Sequence, residues 1–323
     1  MQRFWGFCRF AFQALWPSFV LAGGLLAVYF MALSVGMETI GATFLLGFPI
    51  VASFVILKLR PKGQAQTLLG VIAYMFGIMI LSIIGAYVFG LEGLLCIVMA
   101  VAPLLFGTLL GGMIYVLYLR MKDAKRGGAK LVVVMPLLAL MALDGGLKSL
   151  DPKVHSISNH VVIAAPPEVV FGMLKSIPDI RPEEVATRFS HLLGVPKPTE
   201  ARWVIGADGA VVRHSHWGPE VHFQERIVEV VENQKIAWEF EFPEGWVSER
   251  IEDPHVRVGG QYFDVLSGGY VLQDLGQQTR LTLTTRTWDH SGLGFYATFW
   301  HHFFIEDFHE VVLGLVKARV EAL

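Results

Sequence analysis

The chain has 323 residues, 54% of them hydrophobic and only 17% charged, with a positive mean hydropathy, which is too apolar for an ordinary soluble protein of this length. The excess lies before residue 150, where eleven Lys and Arg and four Asp and Glu sit in short clusters; the 15 basic and 24 acidic residues that follow make the C-terminal part net acidic. An acidic domain repels phosphate backbones, so nucleic acid is not an expected partner. Cys8 and Cys96 both fall in the apolar half, leaving the rest no disulfide framework or Cys-x-x-Cys metal site.

A bilayer core takes roughly 20 apolar residues of helix, and five stretches qualify as spans: residues 16–33, 41–57, 67–89, 94–119 and the shorter 131–147, which Pro136 interrupts and Asp144 ends. The first stretch lacks a small-x-small cleavage site, so the N-terminus is expected to be retained. Basic residues stay on the cytoplasmic side. Arg3 and Arg9, then Lys58, Arg60 and Lys62, then Arg120, Lys122, Lys125, Arg126 and Lys130 flank alternate ends, while the turns around Glu38 and Glu92 carry none. The expectation is a multi-pass protein of a bacterial inner membrane. Five crossings from an inside N-terminus place the C-terminal domain outside the cytoplasm; if 131–147 lies in the interface, the domain is cytoplasmic, and both readings stay open. Gly107 and Gly111 are spaced to let two helices approach, although glycine is common in membrane helices anyway. No ionisable residue lies deep in the first four spans, which argues against a pump or channel.

Residues 1–147 are thus read as a membrane region, 148–153 as a linker and 154–323 as one water-soluble domain. In the last, 160–164 reads as a strand, Pro166 and Pro167 open a helix carrying Val169, Val170, Phe171 and Leu174, and 182–193 reads as a second short helix. Strands are expected over 201–205, 211–216, 221–231, 235–242, 262–266, 269–274 and 279–288. The clearest alternates Ile236, Trp238, Phe240 and Phe242 with Ala237, Glu239 and Glu241. Turns are expected at Gly218-Pro219 and Gly268-Gly269, among others. A helix over 295–323 closes the chain, with Tyr296, Trp300, Phe303, Phe304, Phe308, Val311, Leu315 and Ala318 on one stripe. The expected fold class is an α-helical membrane region joined to an α+β domain, a curved antiparallel sheet around a long C-terminal helix.

That order of elements resembles the START-like superfamily, also called the SRPBCC or Bet v 1-like helix-grip fold, to which polyketide cyclases belong. The run Val162-Ile163-Ala164-Ala165-Pro166-Pro167-Glu168-Val169-Val170-Phe171 is similar to its opening strand and helix. Gln278-Thr279-Arg280-Leu281-Thr282 is similar to its last strand, and Phe308-His309-Glu310-Val311-Val312-Leu313-Gly314-Leu315-Val316-Lys317 to its final helix. The likeness covers roughly the last 170 residues. It implies a deep apolar cavity for a lipid, sterol, polyketide or similar ligand.

Trp217, Phe223, Trp238, Phe240, Tyr262, Tyr270, Trp288, Tyr296, Trp300 and Phe304 are the candidate ligand-binding residues, weighed against plain core packing. His214, His216 and His222 fit no established metal signature, and His302, Glu306 and His309, with His301 and Asp307 beside them, read better as a polar helix face than as a carboxylate-histidine site. No metal and no cofactor is expected. An enzyme would need an acid or base in the cavity, for which Glu225, His255, Asp264 and Asp307 are the candidates. GxSxG, P-loop, GxGxxG and HExxH motifs are absent. Binding a lipid or apolar small molecule beside the bilayer is therefore the simpler reading. A membrane-bound cyclase- or hydratase-type enzyme and a sensor or interaction module signalling through the helices are the alternatives.

Overall fold

In a computed structural model the described residues are 43–59, 68–88, 93–123, 152–207, 209–248, 251–252, 257–291 and 293–323. The chain divides into two compact units, with the break at Leu150 and Asp151.

The first unit contains α1 (Phe48–Leu59, entered through a π-helical turn at Thr43–Gly47), α2 (Leu68–Val88) and α3 (Leu94–Asp123). Two stretches, Leu69–Val88 and Leu94–Lys122, are long and apolar enough to cross a membrane, while Leu45–Lys58 is shorter. Ile50, Phe54 and Leu57 of α1 pack on Val71 and Met75 of α2 and Ile114 and Tyr115 of α3. The approach of α1 to α3 depends on missing side chains: a Cβ at Gly107 would lie 2.8 Å from the Leu46 carbonyl oxygen, and one at Gly111 2.8 Å from Ser53 Cβ. Leu69, Leu81, Ile84, Phe106 and Met113 are apolar and exposed among the described residues. The spans expected over 16–33 and 131–147, with Pro136 and Asp144, lie outside the described residues. Of the five expected spans, three fall on described residues: α2 and α3 are long and apolar enough to cross a membrane, and the third is helical over Thr43–Leu59 with a shorter apolar stretch, Leu45–Lys58.

The second unit contains β1 (Lys153–Ile163), α4 (Pro167–Lys175), α5 (Phe189–Leu192), β2 (Pro198–Ile205), β3 (Val211–Trp217), β4 (Val221–Val231), β5 (Lys235–Glu241), β6 (Phe263–Asp274), β7 (Thr279–Asp289) and α6 (Phe295–Glu321). The strands form one antiparallel sheet in the order β1-β7-β6-β5-β4-β3-β2. The inner face of the sheet receives α6, mainly against β1 and β7, and α4. Pro167 sits at the first turn of α4, where its missing N–H costs nothing. The core that results is built on Val170, Phe171 and Leu174 of α4, Ile163 of β1, Ile236 of β5, Leu281 of β7 and Val316 of α6, all at most 1% exposed.

Three expectations are corrected. The first strand begins at Lys153, not at residue 160. Residues 262–266 and 269–274 belong to one strand, β6, whose irregularity falls between Val265 and Ser267. Gly268 is not in a turn; it lies opposite Trp238, and a Cβ there would collide with the indole. The helix expected over 182–193 is two short pieces, a 3-10 turn at Pro182–Glu184 and α5.

Candidate functional site

Alternation along the strands sorts side chains onto two faces. Register places Arg213, Ser215 and Trp217 of β3, Phe223, Glu225 and Ile227 of β4, Trp238 and Phe240 of β5, Tyr270 of β6 and Leu281, Leu283, Thr285, Thr287 and Asp289 of β7 on the inner face.

The most deeply placed charge there is Arg213, 4% exposed, opposite Glu225, 5% exposed. Arg213 Nε and Nη2 donate to the two oxygens of Glu225, the latter at 2.8 Å; Nη1 donates to the Leu174 carbonyl at the end of α4 at 3.0 Å, and Ser215 Oγ donates to Glu225 at 3.0 Å. The guanidinium lies over the rings of Trp238, 4.7 Å from the centroid, and Tyr270, 5.4 Å. Burial disfavours the Arg213 charge, but Glu225 and Tyr270 together outweigh this and hold it above its ordinary value, while burial raises the Tyr270 phenol. Glu225 is therefore committed to a structural ion pair, and Trp238 and Tyr270 enclose it.

A second polar contact joins sheet to helix. His309 of α6, 3% exposed, donates through Nδ1 to Asn159 Oδ1 of β1 and accepts through Nε2 from Thr285 of β7, both at 2.8 Å. Burial lowers its pKa from 6.5 to about 4, so it is neutral at pH 7. A third cluster joins His155, Asp289 and His301. The imidazoles of His155 and His301 stack at 4.6 Å, and His301 Nδ1 lies 2.8 Å from Thr287 Oγ1. Burial lowers the pKa of His155, and that of His301 to about 4.

The inner face also carries an aromatic band. Phe223 meets Phe240 at 5.9 Å and Phe242 at 6.2 Å, Phe242 meets Trp246 at 4.6 Å, and Trp217 meets Phe308 of α6 edge-on at 5.6 Å. All six are half-buried rather than sealed in the core. Along the first half of α6, Tyr296, Trp300 and Phe304 are in contact in turn, and Phe295 and Phe299 on the same helix are 87% and 53% exposed.

Of the ten aromatic candidates, Trp217, Phe223 and Phe240 thus lie in the inner band, Trp238 and Tyr270 in the core, and Tyr296, Trp300 and Phe304 along α6. Tyr262 is buried just before β6. Trp288 is out of phase with buried Thr287 and Asp289 and stands on the outer face. Asp264, its register partner, is also on that face, and its carboxylate accepts from the Val265 N–H. Asp307 accepts from the N–H groups of Phe189 and Ser190 and so caps α5. His255 lies outside the described residues. His216 and His222 pair across β3 and β4 on the outer face, and His302 lies 3.5 Å from Glu306.

Arg213, Asn159, Thr285, Phe242 and Trp246 were missed as site residues. For Arg213 a signal was present: six residues on either side of Pro219 in the hairpin are Arg213 and Glu225, which the register sets face to face.

The domain is a helix-grip α+β fold: seven antiparallel strands closed by a long C-terminal helix. No family model and no curated protein sequence matches the chain. Solved structures do match its C-terminal half. Among them are the Zhui aromatase/cyclase from Streptomyces sp. R1128 (15% identity, 52% of this chain and 94% of that one, TM-score 0.32) and Ara h 8.0201 (11%, 53% and 100%, 0.33). A third is norcoclaurine synthase from Thalictrum flavum, solved with dopamine and hydroxybenzaldehyde (11%, 53% and 90%, 0.31).

Two outcomes are expected from thermal unfolding of the full protein in mild detergent. Arg213→Met strands the Glu225 charge and should destabilise by about 3–5 kcal/mol, whereas Arg213→Met combined with Glu225→Leu should recover most of that loss. Between pH 6.5 and 4 the unfolded chain takes up protons that buried His309 refuses, so stability is complete above pH 6.5 and falls as pH drops towards 4, by on the order of 3 kcal/mol for this group. His309→Gln should flatten that slope.

Proposed function

We propose that the inner face of the helix-grip domain binds a hydrophobic small molecule or lipid, and that the chain holds this domain beside a bilayer. The observation that carries the reading is the half-buried aromatic band of Trp217, Phe223, Phe240, Phe242, Trp246 and Phe308. Large apolar side chains left partly open to water cost about 25 cal/mol for each Å² that remains wet. An apolar ligand lying against them recovers that energy, and rings meeting at varied angles accept many ligand shapes. Two further features point the same way: exposed Phe295 and Phe299 at the start of α6, and helices of membrane length in the same chain. The sequence leaves only a short stretch between residue 147 and β1, which keeps the effective concentration of bilayer lipid at the domain high. We take the membrane region to be multi-pass.

The enzyme reading gains no support from the acid and base candidates that are described. Glu225 is tied to Arg213, Asp307 caps α5, and Asp264 is on the outer face.

The test is native mass spectrometry, with lipid analysis, of the full protein purified in mild detergent. One dominant apolar species should co-purify and be lost from Phe240→Glu and from Trp217→Glu, while Val228→Glu, at an exposed site on β4, keeps it. Equal bulk lipid on all four proteins would contradict the proposal.

A further inference from the structure

The His155, Asp289 and His301 cluster is not explained by folding or by the aromatic band. His155 lies near the start of β1, Asp289 at the end of β7 and His301 in the second turn of α6, yet each places one possible ligand atom within 4.8 Å of the other two. The His155 side chain is 9% exposed and that of Asp289 5%. His155 Nε2 is buried with no hydrogen-bond partner among the described residues, and it stands 3.9 Å from Asp289 Oδ2, beyond hydrogen-bonding range. A buried ring nitrogen left unpaired costs about 1–3 kcal/mol, and here it stands beside a carboxylate oxygen while the His301 imidazole is stacked on its ring.

We propose that His155, Asp289 and His301 bind a divalent transition-metal ion, with zinc the ion best suited to two imidazoles and one carboxylate. Donors around a tetrahedral ion with bonds of about 2.0–2.2 Å lie roughly 3.3 Å apart, so the three ligand atoms, within 4.8 Å of one another, would close on the ion by side-chain rotations that turn the His155 and His301 rings out of their stack. Supporting groups are already in place. Thr287 Oγ1 sits 2.8 Å from His301 Nδ1 and fixes that ring, and the Ser291 N–H donates to Asp289 Oδ1 at 2.9 Å, leaving Oδ2 for the ion. Three protein ligands leave a fourth position for water or for an oxygen of a bound molecule. The site joins the two ends of the domain's sequence, so the ion would also tie α6 to the edge of the sheet. It does not rest on the apolar-ligand reading, and it is tested with the ion alone.

The experiment is a Co²⁺ titration of untagged, chelator-treated full protein in detergent, followed by its ligand-field absorption and reversed with Zn²⁺. The expected result is one Co²⁺ per chain, displaced by one Zn²⁺, with affinity at least tenfold weaker in His301→Gln and Asp289→Asn. Thr287→Val keeps all three ligands and should weaken binding by about 10–100-fold through loss of ring orientation. Each variant is compared by circular dichroism in the metal-free state, and any that has lost its fold is set aside in favour of Thr287→Val. The His216→Ala, His222→Ala double variant, altered on the outer face, should bind as the unaltered protein does. Absence of stoichiometric binding, binding unchanged in His301→Gln, or binding lost in the outer-face variant would overturn the proposal.

Discussion

An arginine inside a hydrophobic core has to be neutralised where it stands, because a lone buried charge costs several kcal/mol. Arg213 meets that demand with a two-pronged contact to Glu225, a third bond to the end of α4, and the faces of Trp238 and Tyr270. Much of the domain's geometry follows. The pair fixes the β3–β4 register, and it brings β5 and β6 in through their aromatic rings. Gly268 is required because any side chain there would displace the indole that covers the guanidinium. A well-packed apolar replacement of the pair is often as stable, so its worth here lies in holding four strands and one helix end in a single arrangement.

With that part of the core fixed, the rest of the inner face divides in two. Towards β3, β4 and β5 it carries half-buried rings and little that is polar, a surface suited to an apolar ligand. Towards β1, β7 and α6 it carries buried polar groups, His309 bonded to Asn159 and Thr285, and His301 bonded to Thr287 with Asp289 and His155 beside it. The helix is therefore held to one edge of the sheet by directional bonds, and to the rest by packing around Val311, Leu315 and Val316.

Much of the fold was legible in sequence because alternation is plain where the inward residues are apolar, as along β5. It failed where the inward residues are polar. The first part of β1 places His155 and Asn159 inward, so hydrophobicity shows no period of two until Val161. On β7 the inward residues from 285 onward are Thr285, Thr287 and Asp289, each satisfied by or set against a partner from another element, and the large apolar Trp288 is on the outer face. Sequence reasoning favoured the tryptophan. The same effect hid the histidine and aspartate cluster, since His155 and His301 are 146 positions apart and only the closed sheet brings them together. Gly268 read as a turn because the ring it accommodates belongs to another strand.

The most direct measurement of the central claim is photo-crosslinking of the full protein in detergent with a diazirine-bearing fatty acid, the modified residues being mapped by mass spectrometry. The account predicts adducts on the inner band, at Trp217, Phe223, Phe240 or Phe308, that excess unlabelled fatty acid removes. Adducts confined to α2 and α3, or spread over the domain and indifferent to competitor, would contradict it.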